Sequence, residues 1–212
     1  DRRSASRERR DKPKEQTVGK TSVQFTISLD GFIAGPDDDI SQIFGWYNSG
    51  DTEFSVAGAP PFRMARASAE FLQEHWLDTG AIVTGRRDFD VSHAWGGKAI
   101  MGVPMFVVTH APPAVWTSPD SPLVFVTEGV PKAIERAQAA AGAKTVGVGG
   151  TQIVQQALQA GLIDEIILHQ VPVLLGAGIR LFDKLGPDPI KLEKLEVVDT
   201  PDVTHLRFRV KK

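Results

Sequence analysis

Cysteine is absent from this chain, which excludes disulfides, thiolate-ligated metals and cysteine nucleophiles at once. A chain without cysteine suits a reducing compartment, and a cytoplasmic location is expected. Excess charge is missing too: the net charge is −2, so no overall field draws in nucleic acid or an anionic membrane. No apolar run reaches the roughly 18–20 residues that a membrane span requires. The start of the chain also lacks the apolar stretch of a secretory signal, and no metal site is expected. What is present is ordinary for a globular protein. The hydrophobic fraction is 42% over 212 residues, enough for one substantial domain with a core of its own.

The charge is unevenly spread. Residues 1–20, DRRSASRERRDKPKEQTVGK, carry Arg2, Arg3, Arg7, Arg9, Arg10, Lys12, Lys14 and Lys20 with almost no apolar residues. Such a segment cannot bury enough surface to offset its ordering entropy. It is expected to be a disordered basic arm, with the folded domain spanning residues 21–212. Nucleic-acid binding would rest on this arm alone, and a solvated tail is the simpler reading.

From residue 22 onward, short apolar runs alternate with amphipathic segments. Residues 23–29 (VQFTISL) read as a strand, followed by a turn at Asp30-Gly31 and a short strand, Phe32–Ala34. Residues 35–60 form a long polar excursion holding Phe44, Trp46, Tyr47 and Phe54. That length suggests a lid or binding loop, with Trp46 and Tyr47 as candidate substrate contacts; a core cap or a dimer contact is the competing reading. Residues 64–76 have helical spacing (Ala65, Ala69, Leu72, Trp76) and 80–84 are a buried strand. Strands are expected at 105–109 and 123–126, and a helix at 131–141 with Pro131 in its first turn. A strand at 145–148, a helix at 153–160 and a strand at 165–172 follow. His169, inside that last apolar run, reads as a satisfied core histidine. Residues 190–198 and 204–210 alternate in the manner of an antiparallel pair. The pattern predicts an α/β fold: a mostly parallel twisted sheet flanked by helices on both faces, with a C-terminal antiparallel hairpin.

Three strand ends carry the chemistry. The stretch VGVGGTQ (146–152) runs strand, Gly-Gly, helix. Gly149 and Gly150 lack Cβ atoms that would block an anion, and the following helix aims free N–H groups at the same place. Alone, this is as consistent with an ordinary tight turn. The strand at 80–84 ends in Gly85-Arg86-Arg87, where an arginine fork can pair with phosphate. The strand at 105–109 ends in Thr109-His110. In an open parallel sheet, ligands bind outside the carboxyl ends of strands, so these together point to a nucleotide with more than one phosphate.

The motifs SLDGFIAG (28–35), TGRRDFD (84–90), VVTH (107–110), VGVGGTQIVQQAL (146–158) and LIDEIILHQVPVLLGAGIRLF (162–182) resemble the dihydrofolate reductase superfamily. Most similar is its branch holding the reductase domain of bacterial riboflavin biosynthesis, the RibD C-terminal-like proteins. The resemblance spans about residues 21–210 and implies an NADPH-dependent reductase acting on a small heterocyclic or carbonyl substrate. It implies that Gly85, Arg86, Arg87, Thr109 and His110 face the cofactor's phosphates and adenosine, Arg87 and His110 being candidates for the 2′-phosphate. It further implies that Gly149, Gly150, Thr151 and Gln152 hold the pyrophosphate and that the backbone of Thr26 and Ile33 fixes the nicotinamide. Asp30 matches the aspartate near the reacting ring, either proton-handling or simply a turn residue. A homodimer is expected on the same resemblance.

Two features depart from the wider superfamily. The carboxylate that binds a pterin in dihydrofolate reductases has no matching motif, and Glu70 and Glu74 read as a solvated helix face. The deaminase half of fused riboflavin enzymes, with its cysteine-ligated zinc, is not expected, because these residues include no cysteine. Arg63 and Arg66 are candidates for a ribose-phosphate site or, equally, surface residues. Dihydrofolate reduction, or NADP(H) binding without turnover, are the alternative functions.

Overall fold

The computed structural model describes residues 18–116 and 121–212; the expected basic arm lies, up to residue 17, outside them. Strand β1 (Thr21–Ser28) turns into β2 (Phe32–Ala34), and short strands β3 (Thr52–Phe54) and β4 (Phe62–Met64) precede helix α1 (Arg66–Trp76). Strand β5 (Thr79–Gly85) runs straight into α2 (Arg86–Val91), followed by β6 (Met105–Val108) and β7 (Leu123–Val126). Helix α3 (Val130–Ala141), β8 (Thr145–Val148), α4 (Thr151–Gln159) and β9 (Glu165–Val171) then alternate. The described chain closes with β10 (Ile179–Arg180), β11 (Leu192–Asp199) and β12 (Thr204–Val210).

The main sheet has eight strands in the order β11-β12-β9-β1-β8-β5-β6-β7. Its neighbours from β9 to β7 pair in parallel, while β12 lies antiparallel to both β9 and β11. Period-2 alternation sends each strand's side chains to opposite faces. Val23, Ile27, Ala81, Val83, Phe106, Val146, Val148 and Ile166 pack beneath α3 and α4. On the other face Ile167 and Val171 meet α1 through Phe71 and Leu72, and Met105 and Val107 meet Phe89 of α2. Helices therefore cover both faces, as the alternation of segments predicts. No described helix is long and apolar enough to cross a membrane.

Differences from expectation have local causes. Met64 belongs to β4, in register with Thr52, so α1 starts at Arg66 and not at 64. Helix α4 begins at Thr151, earlier than the apolar periodicity suggests, because the chain turns at Gly150 (φ 76°). The excursion at 35–60 is partly ordered by the β3–β4 pair and by short 3-10 turns. Residues 19 and 20 belong to the fold and not to an arm: Gly19 donates to the Gly142 carbonyl, and the Lys20 carbonyl accepts from Val146.

Candidate active site at the carboxyl ends of the strands

Register places the three strand ends side by side. Val83 of β5 is opposite Val148 of β8, and Gly85 is opposite Val108 of β6. The turns leaving β8, β5 and β6 are thus adjacent at one edge of the sheet. The Gly149 N–H donates to the Val83 carbonyl at 2.8 Å, which pulls the Gly-Gly turn across the end of β5. A Cβ on Gly150 would stand 3.1 Å from the Gly85 nitrogen and 3.5 Å from Thr84 Oγ1, at a φ of +76°. Both space and backbone conformation therefore demand glycine there. A Cβ on Gly85 would lie 3.0 Å from Ile153 Cγ1, so glycine lets α4 close down on β5.

Helix α4 opens at this turn without a side-chain cap. Its first intrahelical bond runs from Val154 N–H to the Gly150 carbonyl, so the amides of Thr151, Gln152 and Ile153 precede it. Those amides and the positive end of the helix dipole make an anion seat. The seat fits a pyrophosphate: bare backbone, donors aimed together, and no Cβ filling the space.

The flanking side chains divide into fixed and free. The Arg86 guanidinium is bound to the Asp90 carboxylate at 2.9 Å and to the Ala111 carbonyl at 2.8 Å, so it ties α2 to the segment after β6. Arg87 is exposed and pairs with Asp38 at 3.0 Å; an exposed pair contributes only about 0–1 kcal/mol and exchanges readily for a phosphate. The buried Thr109 hydroxyl turns onto Ala111, which makes it a turn anchor, while His110 is exposed beside it. Asp88 was not singled out by its sequence context. Its carboxylate accepts from Thr84 Oγ1 at 2.6 Å and faces the position of a Gly149 Cβ at 3.9 Å. Burial pushes its carboxyl pKa up, against the lowering effect of the Thr84 hydroxyl. The signal for it was the i, i+4 spacing of Thr84 and Asp88 across the strand-to-helix junction.

Next to the seat, β1 and β8 part company. Their register covers only Thr21–Val23, whereas β1 stays paired with β9 through Ser28. The Lys20 carbonyl accepts from β8 and the Thr21 carbonyl from Asp164 on the β9 side, so alternate residues present their backbone to each neighbour in turn. By that alternation the N–H and C=O of Thr26 face the side where β8 has ended. Free backbone groups in a cleft are suited to a planar amide. Ile33 lies in β2, half-buried against the main core.

Asp30 is committed elsewhere. Its carboxylate accepts the Ser28 hydroxyl at 2.6 Å and the amides of Leu175 and Gly176 at 3.1 and 2.7 Å. The Ser28 hydroxyl, with the Gly176 and Leu175 amides, holds its carboxyl pKa down at about 2. These bonds give Asp30 the anchoring role of a turn residue: it pins the loop after β9 to the β1–β2 turn. For Trp46 and Tyr47 the burial favours the core cap over the substrate contact. They are 3% and 8% exposed, stacked on one another at 4.1 Å, with the Trp46 indole donating to Thr26 Oγ1. These rings fill the second core in this conformation and line no open substrate surface. The hydrophobic effect on two large rings outweighs their position in a polar excursion.

His169 is buried as expected, but not alone. Gln24 Nε2 lies 2.8 Å from its Nε2, its Nδ1 lies 2.7 Å from His205 Nδ1, and His205 Nε2 lies 2.8 Å from Ser68 Oγ. Arg63 and Arg66 are turned to the Asp51 carbonyl and to Glu70, and do not gather into a phosphate site.

The profile of the RibD C-terminal domain matches residues 20–206. The chain belongs to the RibD C-terminal domain family. This is a family of nicotinamide-dependent reductase domains with a dihydrofolate reductase-like fold. YwjB of Bacillus subtilis (strain 168), an uncharacterized protein, is 29% identical over 171 residues, covering 78% of this chain and 84% of YwjB. A candidate riboflavin biosynthesis protein from Shewanella sp. PV-4 superposes with a TM-score of 0.70 at 18% identity, over 91% of this chain and 99% of that one. The deaminase/5-amino-6-(5-phosphoribosylamino)uracil reductase of Thermotoga maritima superposes at 0.64 and 12% identity, over 92% of this chain and 57% of that enzyme. A pyrimidine reductase-like protein of Corynebacterium diphtheriae gives 0.60 at 14% identity, with 92% of each covered. These structural likenesses establish the RibD-type fold.

Proposed function

We propose that this RibD-type domain is an NADPH-dependent reductase of a small heterocyclic or carbonyl compound. The observation that carries the reading is the uncapped start of α4 behind Gly149-Gly150, set beside the β1–β8 cleft. The amides of Thr151 and Gln152 hold the pyrophosphate, Arg87 and His110 take the 2′-phosphate, and the Thr26 backbone orients the nicotinamide. When bound, the cofactor supplies a hydride; the protein's share is to position the ring and exclude alternatives. With Asp30 ionised, the proton that accompanies the hydride comes from solvent or from the substrate's own acidic group. Dihydrofolate is disfavoured as substrate, because Glu70 is exposed and paired with Arg66. Among the described residues, Arg63 and Arg66 do not gather into a ribose-phosphate site.

The test is NADPH oxidation across a panel of pyrimidines, pteridines and simple carbonyl compounds, with cofactor binding measured in parallel. Substrate-dependent oxidation supports the reductase. Tight NADPH binding without oxidation anywhere in the panel favours a sensor, and no NADPH binding refutes both. We also propose a homodimer through the edge strand β11, where Leu192 and Val197 are exposed; a single-chain mass by light scattering would refute it.

A further inference from the structure

At the opposite end of β1 from the cofactor cleft, the last turn of α1 stands over the sheet. Ser22 of β1 is in register with Gly147 of β8 and with Glu165 of β9. Gly147 has no side chain to fill its place on this face, and a cavity of about 20 Å³ remains. Its walls include Ser22, Glu74, His75, Asp78 and Glu165. That volume exceeds the roughly 10–15 Å³ needed to hold one water-sized sphere. Ser22 Oγ is buried in this wall and has no hydrogen-bond partner among the described residues. The residue is 6% exposed, so bulk solvent does not satisfy it.

Two walls of this cavity, Glu74 and His75, meet Glu196 of β11, and each of the three brings one ligand atom within 4.8 Å of the others. His75 Nε2 and Glu196 Oε2 are hydrogen-bonded at 3.1 Å; that spacing is close to the roughly 3.4 Å between ligand atoms on a tetrahedral zinc ion, so an ion would take the place of this bond. The nearby cations are mostly spoken for. Lys20 binds Glu165 at 3.1 Å, and Arg207 grips the same carboxylate with two nitrogens at 3.0 Å. Arg207 reaches Glu196 only at 3.8 Å. The cluster thus offers one imidazole nitrogen, two carboxylates and a polar void.

We propose that Glu74, His75 and Glu196 form a zinc site, with a metal-bound water in the void that meets Ser22 Oγ. An imidazole in the ligand set selects a transition metal over magnesium or calcium, which prefer all-oxygen sites. The site joins the end of α1 to strand β11 and stands apart from the Gly150 seat, so its role is to fasten the terminal hairpin to the helix and not to act on substrate.

The full chain, stripped with a chelator, is titrated with zinc chloride by calorimetry, with magnesium chloride as the control. The expected result is one equivalent bound and a raised melting temperature, with no effect of magnesium. His75→Gln should abolish binding. Glu74→Gln, on an exposed residue that leaves the fold intact, should weaken it roughly tenfold or more. His93→Gln should bind as the wild type does. Zinc affinity unchanged by Glu74→Gln, no saturable zinc binding, or an anomalous zinc peak at another site in crystals would each overturn the proposal. So would a crystal grown with zinc in which no ion lies among Glu74, His75 and Glu196.

Discussion

Lowering the pH from 7 to 5 should weaken the fold by about 2 kcal/mol through His205 alone. The hydrogen-bond chain admits one proton arrangement. The Gln24 amide nitrogen only donates, so His169 Nε2 accepts; His169 Nδ1–H then donates to His205 Nδ1, and His205 Nε2–H donates to Ser68. Both rings are neutral. Burial drops the His205 pKa from 6.5 to about 4, and burial, with His205 and His75 nearby, drops that of His169 well below its ordinary value. The unfolded chain therefore takes up these protons near pH 6.5 while the native state refuses them. The stability they confer is fully present above 6.5 and is lost as the pH falls toward 4. For one site, a folded value of about 4 against 6.5 unfolded integrates to about 2 kcal/mol between pH 7 and 5. His169 acts in the same direction. Carboxylates with depressed pKa values, such as Asp164 and Glu165, titrate below this window. Asp88, whose pKa is raised, acts in the opposite sense, and comparison with a variant cancels its share. Urea melts of the wild type and of His205→Gln at both pH values measure the difference. The variant should lose about 2 kcal/mol less than the wild type on acidification; equal losses would show that the pair does not refuse protons as its burial requires.

Gly150→Asp should lower NADPH affinity about 100-fold or more, since a unit charge ~4 Å from a phosphate repels it by about 4 kcal/mol at an effective dielectric of 20. Gly150→Ala should weaken it less, separating strain from charge; calorimetric titration of the folded variants checks both, and unchanged affinity removes the pyrophosphate seat. NADPH should bind more tightly than NADH, and Arg87→Ala should shrink that preference by roughly tenfold, the scale of one charge-assisted hydrogen bond. Equal affinities in the wild type would deny Arg87 and His110 their role. Asp88→Asn should tighten NADPH binding at neutral pH by removing the charge that an ionised carboxylate holds beside Gly149, and the gain should fade on acidification, sooner than for an ordinary carboxylate because burial raises its pKa. A pH-independent ratio of the two affinities would refute this.

Most of the architecture was legible because its signals are local. Period-2 runs such as LRFRV and the apolar stripes of α3 and α4 each suit one environment, and the strand-end positions of Gly85, His110 and Gly150 follow from them. What escaped were properties set by contacts distant in sequence. Asp30 looks the same in a turn whether it faces a ligand or the amides of a loop some 145 residues away. Trp46 and Tyr47 lie in a polar stretch, and only the assembled second core reveals where the rings go. The partner of His169 lies 36 residues on, in an antiparallel strand directly opposite it. Asp88 needed the register of β5 with β8 before its nearness to Gly149 could be seen.

The early parting of β1 from β8 has a mechanical consequence. By strand count the sheet is continuous, but the pairing between its two leaves, β11-β12-β9-β1 and β8-β5-β6-β7, is confined to the base, to the Thr21–Val23 register and the Lys20 carbonyl just before it. The seam resembles a book held by the foot of its spine. A dinucleotide lying along it would replace the missing rungs, so amide exchange on both sides of the seam should slow when the nucleotide binds.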